Sequence, residues 1–558
     1  MRKIFLLTIL AVLAAQAYAK IPKQVNKVRN SVASILVYKN GELLRSGTGV
    51  LVNAGGEMLS SHSLFVDADS AVAIDTRGVA RPVTKILGAD ETYDCIRLSI
   101  LPDKKLKPIV YSSRPATDGN ILYLVAYGIK KSGTIEEAKV EKTDTISGSH
   151  HYYTLRLPLS EKNISAPLVN AEGELVALLQ SIEGNDTLKS FALAANYAKS
   201  LTIRATNYNS ERFSRIGIRK ALPATEEEAL SCLLLQSFSK DSSAYKAMLD
   251  EYVVQFPQSH QGHLYLAEYN ATRTKKYDAA ESGWSKALTL AGKKGDVWYH
   301  KANTIYAHKL YADSAASVTF PIDSALAYVN RAIDTDNLPI YVRLKGNILY
   351  TKRDYAGAFD CYSALTSTNL CDAEVYALAA NCKELLGDPD AAVLHLDSAI
   401  ATFGKVPVAA MAPYVLNRGL VKNRAGRHRE AVLDYNAYAK LLGNRMNANF
   451  YYLREQAEYS GKMYRLALAD IDVALAFEPD NIVFLLEKGR ICYRVNMIDE
   501  ALPVLEKAIG VAPENPDAYY LMARCQMLKG NNSAARQNLE KAVKYGHPAA
   551  AETLKSIK

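Results

Sequence analysis

Beyond its first 20 residues the sequence has no apolar run approaching the roughly 18 residues a helix needs to cross a bilayer, so no membrane-spanning body is expected. Charge of one sign is equally lacking. Lys and Arg number 67 against 58 Asp and Glu, a formal net charge of +9 spread over 558 residues without a block of as many as about five like charges. A nucleic-acid surface takes a concentrated basic stripe, and none is present. Cysteine is scarce and unpatterned. The seven (Cys95, Cys232, Cys361, Cys371, Cys382, Cys492 and Cys525) are odd in number, sit in apolar segments and never take C-x-x-C spacing. Buried thiols are expected rather than a disulfide framework, with Cys371 and Cys382 the one pair close enough to note. Metal-ligand spacing is missing too. His150 and His151 are neighbours, point opposite ways on a strand and lack a third ligand, which fits a hairpin tip. No metal, nucleotide or organic cofactor is expected.

What is present starts with a leader. Arg2 and Lys3, the apolar stretch Ile4 to Ala15 and Ala17-Tyr18-Ala19 have the charged, apolar and A-x-A regions of a cleavable signal peptide over residues 1–19. The apolar part is too short to span a membrane, and no cysteine stands at the cleavage point to take a lipid. The mature chain is therefore expected in a bacterial periplasm or outside the cell. A chain this long exceeds one ordinary core, so two or three domains are expected.

Residues 20–201 follow a short helical lead, Val25 to Arg29, with many brief β-branched runs. They are Val32–Tyr38, Gly49–Val52, Met58–Ser60, Ala71–Asp75, Ile96–Ile100, Ile121–Ala126, Tyr152–Leu157, Leu168–Val169 and Leu175–Gln180, separated by Gly, Asn and Asp turns. That pattern predicts an all-β barrel or sandwich. Lys162 to Asn170 reads K-N-I-S-A-P-L-V-N and runs on through Ala171-Glu172-Gly173-Glu174-Leu175-Val176. It resembles the G-N-S-G-G-P-L-V-N-x-x-G-x-V segment of trypsin-like serine proteases of the HtrA (Deg) type. Four further stretches match the same family in order: Ser46–Val52, Met58–Phe65, Tyr93–Ile100 and Gly119–Gly128. The closing Ser190–Tyr197 resembles G-F-A-I-P-S-N. The resemblance implies a double β-barrel.

It also implies where chemistry would be. Such enzymes need a serine activated by a histidine, an aspartate to orient that histidine, and backbone N–H groups for the oxyanion. Without gaps, Asp94 falls at the aspartate, Ser63 at the histidine and Ile164 at the serine, while the flanking glycines become Lys162, Ser165 and Ala166. Isoleucine has no nucleophile, so no catalytic residue is expected. One-residue slips in two loops would instead give His62, Asp94 and Ser165. In extended chain each slip reverses a side chain's direction, so two independent compensations would be required.

Residues 202–223 have no clear periodicity and read as a linker, with Ile216-Gly217-Ile218 able to pack. From 224 to 558 the period becomes helical and repeats. Ala467, Ala501 and Ala535 are evenly spaced at 34 residues, the tetratricopeptide (TPR) period, with Gly489, Leu505, Ala508 and Pro513 completing one copy. Looser copies around Gly419, Ala380, Gly346, Ala302 and Ala267, one carrying an insertion near Leu310 to Thr319, bring the expectation to about nine helical hairpins. The A helices of such an array line a concave face that holds peptides or partner proteins. Asn303, Asn347 and Asn381 follow the small A-helix residue of three copies, where amides could bond a peptide backbone, with Tyr299, Tyr306, Arg343 and Tyr350 beside them.

The leading reading is an exported, non-enzymatic scaffold or assembly factor that binds proteins or peptides. The alternatives are an active serine endopeptidase using Ser165, His62 and Asp94 on TPR-recruited substrates, and a periplasmic chaperone-like holder.

Overall fold

The computed structural model describes residues 21–128, 132–146, 148–158, 163–180, 189–237, 242–311, 321–443 and 445–557. The leader, Lys162 and most of the insertion expected near Leu310 to Thr319 lie outside the described residues. The chain falls into two compact units, one reaching Ala291 and one beginning at Gly292.

In the first unit, β1 (Val32–Lys39), β2 (Glu42–Leu51), β3 (Glu57–Ser60), β4 (Ser70–Asp75), β5 (Ala80–Asp90) and β6 (Cys95–Ile100) close into a barrel in the order β1-β2-β3-β6-β5-β4. A second barrel closes as β10-β11-β12-β9-β8-β7. Its strands are β7 (Ile121–Val125), β8 (Ile135–Ile146), β9 (His150–Arg156), β10 (Pro167–Val169), β11 (Leu175–Leu179) and β12 (Lys189–Ala194). The double barrel is the expected fold. Alternation drives it: Ile96, Leu98 and Ile100 of β6 point inward with Ile35 and Val37 of β1, while the residues between them face out. The second core gathers Leu122, Leu124, Val140, Leu155 and Leu168 in the same way. A third cluster, including Val50 and Leu59 from one barrel and Val169 and Leu178 from the other, seals the two together.

Residues 202–223 are packed along much of their length. Ile203, Phe213, Ile216 and Ile218 belong to the first barrel's core. Backbone bonds fix them there: Gly217 N–H donates to the Ala68 carbonyl (2.7 Å), Ile86 N–H to Arg219 (2.8 Å), and Ala221 N–H to Ile86 (2.8 Å). Two helical hairpins follow in this unit, Glu226–Gln236 with Ser242–Gln255 and His260–Thr272 with Tyr277–Leu290.

The second unit is a run of hairpins. Lys294–Tyr311 pairs with Ile322–Thr335, Pro339–Thr351 with Tyr355–Leu365, Ala373–Leu385 with Pro389–Ala401, and Ala412–Arg424 with His428–Leu441. Ala448–Ser460 pairs with Tyr464–Phe477, Ile482–Arg494 with Ile498–Val511, and Pro516–Leu528 with Asn532–Lys544; Ala550–Ser556 closes the run. The repeat's small residues stand where two helices cross closest. A Cβ on Gly419 would lie 2.7 Å from the ring of Tyr435, which is fully buried in the facing helix.

Candidate functional site

Asp94 stands in the turn between β5 and β6 with a left-handed φ of +40°. Its carboxylate meets Ser63, at the start of the short turn Ser63–Phe65. Ser63 N–H donates to Asp94 Oδ1 at 2.6 Å and Ser63 Oγ to Asp94 Oδ2 at 2.9 Å. Burial raises the carboxyl above its ordinary pKa, a shift the two Ser63 bonds oppose.

His62 is one residue away and turned elsewhere. It is 1 % exposed, its ring is stacked on Phe213 with centroids 6.4 Å apart, and its Nε2 has no hydrogen-bond partner among the described residues. Burial lowers its pKa, so the imidazole is held neutral. Phe213 arrives from the 202–223 segment, 151 positions downstream, and no sequence signal marks this contact.

On the second barrel, Ile164 is half-buried and Ser165 is 1 % exposed with φ +64°. Ser165 N–H donates to the Leu179 carbonyl (2.8 Å), Ala166 N–H to Asn163 (2.9 Å), and Leu179 N–H returns to Ala166 (3.1 Å). A positive φ is a glycine conformation. Ser165 therefore stands at a backbone position that favours glycine, next to Ile164. The structure brings Ser63 and Asp94 together. It gives His62 no bond to either.

In the second unit, most of the residues singled out on the A helices touch a neighbouring helix, several from one A helix to the next and Tyr350 and Asn347 to the partner helix of their own hairpin. Tyr306 OH lies 3.2 Å from Thr351 Oγ1, Arg343 donates to Glu374 at 2.5 Å, and Asn417 Nδ2 donates to Asn381 Oδ1 at 3.0 Å. Tyr299 stacks on Tyr341 (5.0 Å) and Tyr350 sets its edge on Tyr355 (5.5 Å). The three asparagines are not equivalent. Asn303 is exposed, whereas Asn347 accepts from Tyr362 OH at 2.9 Å and Asn381 from Asn417.

Later copies continue this wall with arginine–tyrosine pairs in place of asparagines. The Arg490 guanidinium lies 4.1 Å over the Tyr459 ring, and one repeat on, Arg524 donates to Tyr493 OH at 2.7 Å. The 34-residue spacing of both pairs was there to be read. Among the described residues no cluster of three or more His, Cys, Asp or Glu could hold a metal ion, and no helix is long and apolar enough to cross a membrane.

A family model of the trypsin-like peptidase domain matches residues 47–178, and one of the tetratricopeptide repeat matches residues 496–556. Among solved structures, the serine endoprotease from Yersinia pestis is similar at 19 % identity and a TM-score of 0.28, covering 32 % of this chain and 62 % of that one. The chain thus spans less than two thirds of that protein. The Rv3671c protease from M. tuberculosis, in its active form, is similar at 17 % identity and a TM-score of 0.28, covering 35 % of this chain and 85 % of that one. Curated protein sequences give no match.

Proposed function

We propose, from the premise that the chain joins a trypsin-like peptidase domain to tetratricopeptide repeats, that it is an exported protein-binding scaffold whose peptidase domain does not cut. The repeats are protein-interaction modules, and the A-helix wall offers amides, tyrosines and guanidinium groups to an extended chain. Export rests on the leader at residues 1–19.

The observation that carries the inactive reading is the pairing of Asp94 with Ser63. In the working constellation the carboxylate orients an imidazole, which takes the nucleophile's proton. Here the carboxylate holds a hydroxyl, which is far too weak a base. The alternative set of Ser165, His62 and Asp94 meets two obstacles. His62 is enclosed against Phe213, and the backbone amide of Ser165, which a nucleophile at that position would turn to the oxyanion, is already donated to Leu179.

The test is labelling of the full mature chain with a fluorophosphonate, beside a heat-denatured control and Ser165→Ala, with casein cleavage followed in parallel. No labelling and no cleavage are expected. Labelling that disappears in Ser165→Ala would restore the endopeptidase reading.

A further inference from the structure

Away from Asp94 and Ser165, a cavity of about 450 Å³ opens where the packed 202–223 segment meets the helix Ser242–Gln255. Ile218, Ala247 and Met248 supply its apolar lining, and Arg219, Lys220 and Glu251 its charged wall.

The charges on that wall do not balance. Glu251 is the lining carboxylate among the described residues, and it is engaged twice, by Lys85 Nζ at 2.7 Å and Arg219 Nη2 at 2.5 Å. Lys220 has no carboxylate partner among the described residues. Its ammonium donates to the Ile216 carbonyl at 2.5 Å and lies 5.1 Å from the centre of the Phe213 ring. Burial lowers its pKa to about 8, so the amine is still mostly protonated at neutral pH. An ammonium has three N–H donors, the Ile216 carbonyl takes one of them, and Lys220 is itself a lining residue of the cavity.

We infer that the cavity binds an amphipathic monocarboxylate, its carboxylate on the Lys220 ammonium and its apolar body against Met248, Ala247 and Ile218. Each part of the lining excludes another class. A neutral apolar molecule would leave the ammonium without a counter-charge among the described residues, and a small inorganic anion would leave the apolar lining wet. A cation would meet a surplus of positive charge among the described lining residues. The volume falls in the range of small-molecule sites. Two sources share this chemistry, a free alkyl acid and the C-terminal residue of a peptide.

Calorimetric titration of the full mature chain with octanoate, and with an N-acetylated peptide ending in leucine, tests the site. Octanol, octylamine and the amidated peptide serve as controls. Saturable binding of at least one acid is expected, about tenfold or more tighter than its uncharged counterpart and weakened about tenfold or more in Lys220→Met. Because Lys220 also holds the Ile216 carbonyl, Lys220→Met could lose its fold. Ala247→Trp, which fills the cavity and leaves the amine in place, gives a second reading, and far-UV dichroism is followed for both variants. Octanoate alone binding makes the ligand a free acid; the peptide acid alone makes it a chain terminus. Either result supports the site. Octanol binding as tightly as octanoate, unchanged affinity in a folded Lys220→Met or Ala247→Trp, or no binding by either acid would overturn it.

Discussion

At the scale of single residues, Ser165 is where backbone and side chain disagree. Its φ of +64° belongs to the left-handed region, which costs an L-residue about 1–2 kcal/mol and glycine almost nothing. The site tolerates serine because three backbone bonds fix the turn: Ser165 N–H to the Leu179 carbonyl, Ala166 N–H to the Asn163 carbonyl and Leu179 N–H to the Ala166 carbonyl. Ser165→Gly should therefore keep the fold. The relieved strain is partly offset by the extra freedom of glycine in the unfolded chain, so the net gain is about 0–1 kcal/mol in urea unfolding. Ser165→Val should lose more than about 1 kcal/mol at the same position. A Ser165→Gly protein that unfolds earlier than the parent would show that the hydroxyl, not the turn, is what the site needs. The pairing of Ser63 with Asp94 was legible in the sequence because both loops align without gaps. The contact of His62 with Phe213 was not, because it joins a barrel turn to a segment with no periodicity, and only the closed barrel brings them together.

At the scale of elements, the repeat signal rests on a few close crossings, and they are testable one at a time. Gly419, in the helix Ala412–Arg424, faces Tyr435 in the helix His428–Leu441. The Tyr435 ring cannot give way easily: it is fully buried, and its neighbour Asp434 is held by Arg418 at 2.5 Å and Lys422 at 2.9 Å. Gly419→Ala should destabilise the second unit by about 1–3 kcal/mol through overpacking, more than its helix propensity returns. Thermal unfolding of the full chain, with limited proteolysis to locate the loss, checks this. A variant as stable as the parent would mean the two helices can move apart at no cost. Such crossings were legible because small residues recur with the period of the repeat. Two strands fall in neither a β-branched run nor a resembled stretch. β5 carries Pro82 and Gly88 and is bulged between Val83 and Lys85 and again between Ile86 and Gly88, which breaks the alternation a strand is read from. β8, I-E-E-A-K-V-E-K-T-D-T-I, buries only Ala138 and Val140, so its charged face hides a barrel strand among residues that read as loop.

At the scale of the whole molecule, stability depends on pH through buried groups that pull in opposite directions, two carboxyls in the second unit against His62 in the first. Glu455 and Glu458, on the helix Ala448–Ser460, are 0 % and 3 % exposed, each with one carboxyl oxygen lacking a hydrogen-bond partner among the described residues. Glu455 faces Glu487 and Arg490 from the helix Ile482–Arg494 and Asp470 from the helix Tyr464–Phe477. Glu458 faces Asp470 and Arg454, and Arg454 is already committed to Asp470 at 2.6 and 2.7 Å. Burial first, and the neighbouring carboxylates second, push Glu455 up to about 7 and Glu458 up to about 8. Both pKa values are raised over the unfolded chain, so the folded state binds more protons in the interval between. Stability is then full below about pH 4.5 and falls as pH rises toward 8, by at most about 1.4 kcal/mol per pH unit for each proton. His62 in the first unit runs the other way: its lowered pKa gives a contribution present above its unfolded value and lost as the solution becomes acid. A global melting curve would blend the two. Hydrogen exchange resolved by peptide and corrected for the intrinsic rate separates them, and residues 448–494 should lose protection between pH 5.5 and 8 in the parent, on the order of 1 kcal/mol or more. In Glu455→Gln/Glu458→Gln the profile should be flat and the protection at pH 8 higher than the parent's, because an amide is neutral throughout. An array repeats its packing units, so opening at this point exposes its neighbours on both sides. A parent profile already flat over this range would mean that water or a neighbouring cation satisfies both carboxylates in the folded chain.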